Sequence, residues 1–395
     1  MSIHNNEITF FNLSKLSILF ISVIYPLFVR DVFFNIKIQY ILNGVLFFLF
    51  FILILNNKVR LNRSFYYILP FIFWAVFVLA YGMLTSFQDG NSNLIMQPFF
   101  AISTDGDLAK NFFNVGNVGL NFSYMMRMII FIPLGLLLGA SVNVINSTFI
   151  RKCIWLFTII SLIYLIVDFY FNSGMRHSGI YSNPQDMSAI LLFNIVIFYC
   201  FRGRSSVELI LFFIISGIGI LLTGTRSSLF IFMALIVLRN RQSLLLFFSV
   251  IMSLLITIIL PLYMNYVVNI DFTSVSSSII RFKLWSDYFW PNILDNFFLG
   301  VGTVPIVTES LIIFFLFVYG FVGLSLFFYY VYIMCTKITY NKGSIKLLFG
   351  VVIFQSVYFM GLLSLDNIAM TFFWLGYLSQ NDDNVDFIYE RRSKI

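Results

Sequence analysis

Apolar stretches of roughly 15 to 25 residues recur along the whole chain, separated by short polar segments. The hydrocarbon core of a bilayer is about 30 Å thick and takes about 20 apolar residues per helix, and only helices or closed barrels satisfy their own backbone there. The stretches therefore predict helical spans at 13–29, 38–55, 65–84, 122–140, 153–171, 187–201, 207–222, 227–238, 243–264, 310–335, 345–365 and 367–380. Charged residues make up 10% of the 395, against about 25% in soluble domains, and no stretch reads as a separate soluble half. The expected fold is all-α: a polytopic helical integral membrane protein of about 12 transmembrane helices in a single domain, 1–395. Residues 1–7 lack a basic cluster and no small-residue cleavage site follows 13–29, so that stretch reads as a retained helix and not a signal peptide.

The net charge of +7 does not point to nucleic acid, because the basic residues form no long block and sit in inter-helix loops. Twelve spans put both termini on one side. With that side cytoplasmic, 16 of the 24 basic residues lie inside, seven lie in outer loops, and Arg127 falls within a span. Every inner loop then carries at least two, the asymmetry that orients membrane helices. Cys153, Cys200 and Cys335 fall in or beside apolar runs and form neither a disulfide framework nor a metal spacing.

The outer loops hold the length: 85–121, 172–186 and 265–308. Long connections in compact domains carry function, which places the working face outside. Within the last loop, 276–290 reads as an amphipathic helix with Phe282, Trp285 and Phe289 on one stripe and Arg281, Lys283 and Asp287 at polar positions.

Basic residues outside need a reason. Arg30 and Lys37 read as anchors, and Lys110 as solvated among Asp105 and Asp107. Arg226 is the most informative. The helix from Arg226 to Arg239 is about 20 Å long, so with Arg239 at the inner boundary Arg226 lies below the outer one. An arginine there needs a wet cavity or an anion, and Thr223-Gly224-Thr225 before it forms a tight turn at a helix start, suited to an anion. The bland alternative is a snorkelling side chain. Arg176 and His177 open a loop shaped by Gly179 and Asn183-Pro184, ahead of the sixth span. Arg281 and Lys283 suit phosphate as well as lipid headgroups, and several guanidinium groups on one face would suit a diphosphate. Glu309 precedes the tenth span, where an acid also favours the helix dipole. His4 and His177 are the only histidines, too few for a histidine-based metal site, and no phosphate-loop motif indicates ATP. Asp105-Gly106-Asp107 matches the metal-holding aspartates of nucleotide-sugar transferases over three residues only, on the outer side.

Three segments in order resemble the O-antigen ligase and polymerase superfamily: the loop Arg176 to Pro184 (R-x-S-G-x-x-x-N-P), the turn Thr223 to Ser228 (T-G-S-R-like), and Arg281 to Trp285 followed by Leu299-Gly300-Val301-Gly302. The resemblance covers about a third of the chain, from Arg176 to Gly323. Ligases of this family carry a histidine, then Asn, Ser or Gln, nine residues and G-x-x-G. Here Glu309 stands where the histidine belongs, before Ser310 and Gly320-Phe321-Val322-Gly323. The departure favours a Wzy-type polymerase, which the family implies moves a growing glycan from undecaprenyl diphosphate onto a lipid-linked repeat unit at the periplasmic face of the bacterial inner membrane.

Such a reaction displaces a diphosphate, so cations must stabilise the leaving group. Arg176, Arg226 and Arg281 are the candidates, with Glu309 as the carboxylate that orients or deprotonates the acceptor hydroxyl. His177, Asn183, Thr223, Thr225, Lys283 and Trp285 are candidate substrate contacts. No metal or cofactor is expected. The expected partners are undecaprenyl-diphosphate-linked oligosaccharide repeat units, membrane lipids, and a chain-length regulator and a flippase of the same pathway; nucleic acid is not among them. A ligase to lipid A core and a lipid-linked oligosaccharide flippase or other transporter are the competing readings. Reporter fusions after Gly90, Ser182 and Ser276 are expected to read external, and fusions after Arg60, Arg241 and Lys342 internal. A cytoplasmic reading after Ser276 would overturn both the topology and the placement of the site.

Overall fold

The computed structural model describes residues 12–28, 32–33, 36–55, 59, 61, 63–88, 118–172, 176–179, 181, 183–201, 206–259, 285–302, 310–337, 342–357, 362–363 and 367–380. These are almost wholly helical: α1 (Asn12–Phe28), α2 (Ile38–Leu55), α3 (Arg63–Gln88), α4 (Val118–Ser141), α5 (Ser147–Phe171), α6 (Pro184–Cys200), α7 (Ser206–Leu222) and α8 (Arg226–Leu238). They continue with α9 (Gln242–Ile259), the short α10 (a π-turn Trp285–Phe289 running into Trp290–Asp295), α11 (Leu311–Lys337), α12 (Lys342–Gln355) and α13 (Ile368–Leu378). One minimal antiparallel pair, Val32–Phe33 with Ile36–Lys37, interrupts the all-α pattern. Among the described residues four helices are long and apolar enough to cross a membrane: Arg63–Gly82, Ser147–Phe171, Gln242–Ile259 and Leu311–Lys337. Seven further apolar helices are shorter.

Several boundaries depart from the expectations, the start of α5 among them: it lies at Ser147, not 153, where Asn146 accepts from Thr148 N–H as the cap. α6 begins at Pro184, not 187, because Asn183 caps it and proline at the first helical position gives up no hydrogen bond. α12 ends at Gln355, ten residues before the expected 365: beyond it Ser356 bonds back to the Val352 carbonyl, while Thr371 of α13 donates to the Leu362 carbonyl (2.7 Å). The helix expected over 276–290 continues to Asp295, since Pro291 falls in a first turn. Residues 276–284 lie outside the described residues, Phe282 with them, but Trp285, Phe289 and Ile293 form the buried stripe.

The chain divides into two compact units, Met1–Tyr67 with Phe131–Val250 and Val331–Ile395, and Ile68–Ile130 with Ile251–Tyr330. In the first, α6 is buried on all sides from Asp186 to Tyr199, as expected of a helix that is apolar all round. Hydrogen bonds sort the helix ends of this unit into two groups. Asn143 N–H donates to Ser14 Oγ (3.1 Å), Ile145 N–H to Tyr377 Oη (2.9 Å), Gln380 to the Gly139 and Val142 carbonyls, and Tyr199 to Asn240. Arg151 pairs with Glu208 at 2.9 Å and Lys346 donates to Ser243. These contacts gather the starts of α1, α5, α7, α9 and α12 with the ends of α4, α6, α8 and α13, so successive helices run antiparallel. α4 and α13 cross backbone to backbone: a Cβ at Gly135 would lie 2.6 Å from the Ala369 carbonyl oxygen.

The second unit contains a broken helix. Inside α11, Gly320 adopts φ 66°, ψ −175°, a conformation open essentially to glycine alone. The carbonyls freed at the break find new donors: Phe317 accepts from Val301 N–H (2.7 Å), Val318 from Gly302 N–H (3.1 Å) and Tyr319 from Trp74 Nε1 (2.8 Å). On the other side Phe321 N–H donates to the Phe297 carbonyl (2.7 Å), and the Phe297 and Phe321 rings stack at 5.2 Å. The 297–302 segment thus completes the helix. A Cβ on Gly320 would strike the Phe298 carbonyl, and one on Gly302 would lie 2.6 Å from the Val78 carbonyl oxygen of α3. Gly320→Ala is expected to destabilise by at least about 1–3 kcal/mol from backbone strain alone. Gly44→Ala, where a Cβ meets nothing within 4 Å, should be neutral or stabilise by up to about 1 kcal/mol. Thermal unfolding in detergent checks both, and equal melting of the two variants would overturn the brace.

Candidate functional site

Two segments singled out in the sequence come to the same end of the first unit. Several of the described residues of the loop before α6 are held by hydrogen bonds. Asp168, in the last turn of α5, accepts through Oδ2 from Ser178 N–H (2.8 Å) and Gly179 N–H (3.0 Å), and through Oδ1 from the Asn172 side chain. Gly179 sits at φ 58°. Tyr181 N–H donates to the Ser178 carbonyl (3.0 Å) and its hydroxyl donates to the Pro26 carbonyl at the end of α1. Asn183 Oδ1 then accepts from Gln185 N–H (3.0 Å) and starts α6. His177 is 4% exposed; its ring lies edge-on to Phe169 at 5.0 Å, and Nδ1 stands 3.9 Å from Asp168 Oδ2. Arg176 is exposed, and among the described residues it has no hydrogen-bonding or acidic partner.

The second segment is the turn between α7 and α8. Gly224, at φ 63°, lets the chain reverse within three residues. Thr223 Oγ1 donates to the Ile220 carbonyl (2.7 Å) and lies 2.9 Å from Thr225 Oγ1, both hydroxyls buried. Thr225 occupies the N-cap of α8 but makes no side-chain cap bond, and the first turn holds no acid. Arg226 follows at the first helical position, exposed and, among the described residues, without a partner. A cation at the positive end of a helix macrodipole is unfavourable, so this helix start is electropositive twice over.

The starts of α6 and α8 meet through Ser188 Oγ and Ser228 Oγ at 2.7 Å, and Ser228 reaches Gln355 Oε1 at the end of α12 (3.4 Å). The structure thereby brings Arg176, His177, Asn183, Thr223, Thr225 and Arg226 to one end of one unit. Trp285 belongs to the other unit, buried beside Phe289. Arg281, Lys283 and Glu309 lie outside the described residues. Sequence reading missed Asp168, Ser188, Ser228, Gln355 and the fully buried Asp186 in the first turn of α6. An aspartate inside an otherwise apolar run was the available signal for Asp168, because acids there mark function or a specific partner.

No family model, no curated protein and no solved structure matches the chain.

Removing one hydroxyl of the Ser188–Ser228 pair leaves the other buried with one partner fewer. Ser188→Ala and Ser228→Ala are each expected to cost about 1 kcal/mol, and the double variant less than the sum. Denaturant unfolding of the four proteins in micelles measures the coupling, and strict additivity would show that the two helix starts are not tied through these side chains.

Proposed function

We propose that this chain is a Wzy-type O-antigen polymerase of the bacterial inner membrane. In this reading twelve helices cross the bilayer, both termini are cytoplasmic, and the loops 85–121, 172–186 and 265–308 face the periplasm. The observation that carries it is that the R-x-S-G loop and the T-G-T-R turn lead into two helix starts joined by Ser188 and Ser228 at one end of the first unit, each with an arginine that has no carboxylate partner among the described residues. Lys15, Arg151, Lys152, Arg239, Arg241 and Lys346 belong to the opposite group of helix ends, which supports the orientation by the positive-inside rule.

In this reading the reaction uses those charges. An acceptor sugar hydroxyl of the incoming lipid-linked repeat attacks the anomeric carbon that joins the growing glycan to undecaprenyl diphosphate. The carbon–oxygen bond to the diphosphate breaks, and its electron pair leaves with the phosphate oxygen. Arg226, at the uncapped start of α8, and Arg176 stabilise that charge, joined by Arg281. Glu309 takes the hydroxyl proton.

Chromosomal deletion followed by glycan sizing tests the reading. A polymerase null keeps its ligase, so lipid A core capped with a single repeat is expected. Bare core would make the chain a ligase. Lipid-linked repeats moved across vesicles by the purified protein without being lengthened would make it a transporter. Arg176→Ala, Arg281→Ala and Arg226→Lys should each shorten the glycan at normal protein levels, because a lysine cannot supply the bidentate fork. Glu309→Gln should give the single-repeat pattern.

A further inference from the structure

We infer that Asp168 is a positioning residue: its carboxylate occupies the anion-binding backbone of the 176–179 loop and so leaves the Arg176 side chain as the loop's contact with phosphate. The inference rests on the reading of Arg176 as a diphosphate-binding residue. Successive backbone N–H groups converging on one point form a concavity for anions. Ser178 and Gly179 make such a pair, with Gly179 at φ 58° turning the second N–H toward the first. The anion they hold is Asp168 Oδ2, at 2.8 and 3.0 Å, so these amides are not available to a substrate oxygen.

The placement of the acid makes a purely structural role a poor account. Asp168 sits in the last turn of α5, the negative end of the helix dipole, where a carboxylate is disfavoured. Its neighbours Ile163, Tyr164, Ile166, Val167 and Phe169 are all exposed apolar or aromatic side chains. What holds the carboxylate there is the loop: two amides, the Asn172 side chain, and the His177 ring 3.9 Å away. His177 is buried against Phe169, the residue next to Asp168. This assigns His177 to bracing the loop and not to touching the sugar. The residue left outward is Arg176, directly before the three residues that Asp168 faces.

The test uses the full chain in nanodiscs and in cells, with Asp168→Ala, Asp168→Asn, Arg176→Ala and the Asp168→Ala/Arg176→Ala double variant. Hydrogen exchange of the peptide covering 176–183 should accelerate at least about tenfold in Asp168→Ala, the factor that loss of roughly 1.4 kcal/mol of amide protection gives. It should accelerate less in Asp168→Asn, which keeps an acceptor oxygen without the charge. Glycan length should fall in the same order, and the double variant should be no shorter than Arg176→Ala alone. Asp168→Asn carries the comparison if the alanine variant does not accumulate. Unchanged exchange in both Asp168 variants, or full-length glycan despite an opened loop, overturns the positioning role while leaving the polymerase reading intact. Full-length glycan from Arg176→Ala overturns the role given to that arginine, and the positioning claim with it.

Discussion

A backbone N–H or C=O that leaves a helix inside an apolar bundle has no water to turn to, so every interruption must be completed by other protein atoms. The break at Gly320 shows what that requires. Three carbonyls and at least one amide are released, and the 297–302 segment and Trp74 meet them one by one. The segment is therefore fixed against α3 and α11 by the same bonds that let α11 break. Its glycines are consumed in completing the helix, since Gly300 and Gly302 both have positive φ and their amides bond to Asn296 and Val318. A Gly-x-Gly sequence often cradles phosphate through its amides. Here those amides are already paired, and the glycines serve close backbone approach.

The first unit obeys the same constraint with polar side chains in place of a broken helix. α6 has no face open to solvent or lipid, so its ends carry the polar chemistry. At one end Tyr199 bonds to Asn240, and at the other Asn183 caps the helix while Ser188 joins Ser228. Among the described residues Arg176 and Arg226 stand at that second end without a salt bridge, in a unit where Arg151 does have its glutamate. The contrast marks Arg151 as a cation spent on the fold.

Much of the helical layout was legible because the bilayer imposes a length and an apolar composition that no local rule disguises. Twelve apolar stretches became helices close to their expected places. Two of the errors fall where short-range capping outweighs hydropathy: Asn146 starts α5 early, and Asn183-Pro184 starts α6 early. Arg176 and Arg226 could be singled out for a related reason, since a guanidinium beside an apolar run needs an explanation.

What the sequence alone determined is the set of helices, the asymmetry of their flanking charges and the motifs that border them, all of which depend on residues close together in the chain. Only the tertiary structure decided which distant groups satisfy one another. Gly300 and Gly320, in separate motifs, come to lie so close that a Cβ on the first would be 2.5 Å from the second's amide nitrogen. Ser188 and Ser228 join two helix starts across forty residues. Asp168, at the end of a span, becomes the acceptor for a loop ten residues away. Hydrogen bonds of this kind have no period and no composition. They are set by where packed helices place their ends, and that is a property of the folded chain.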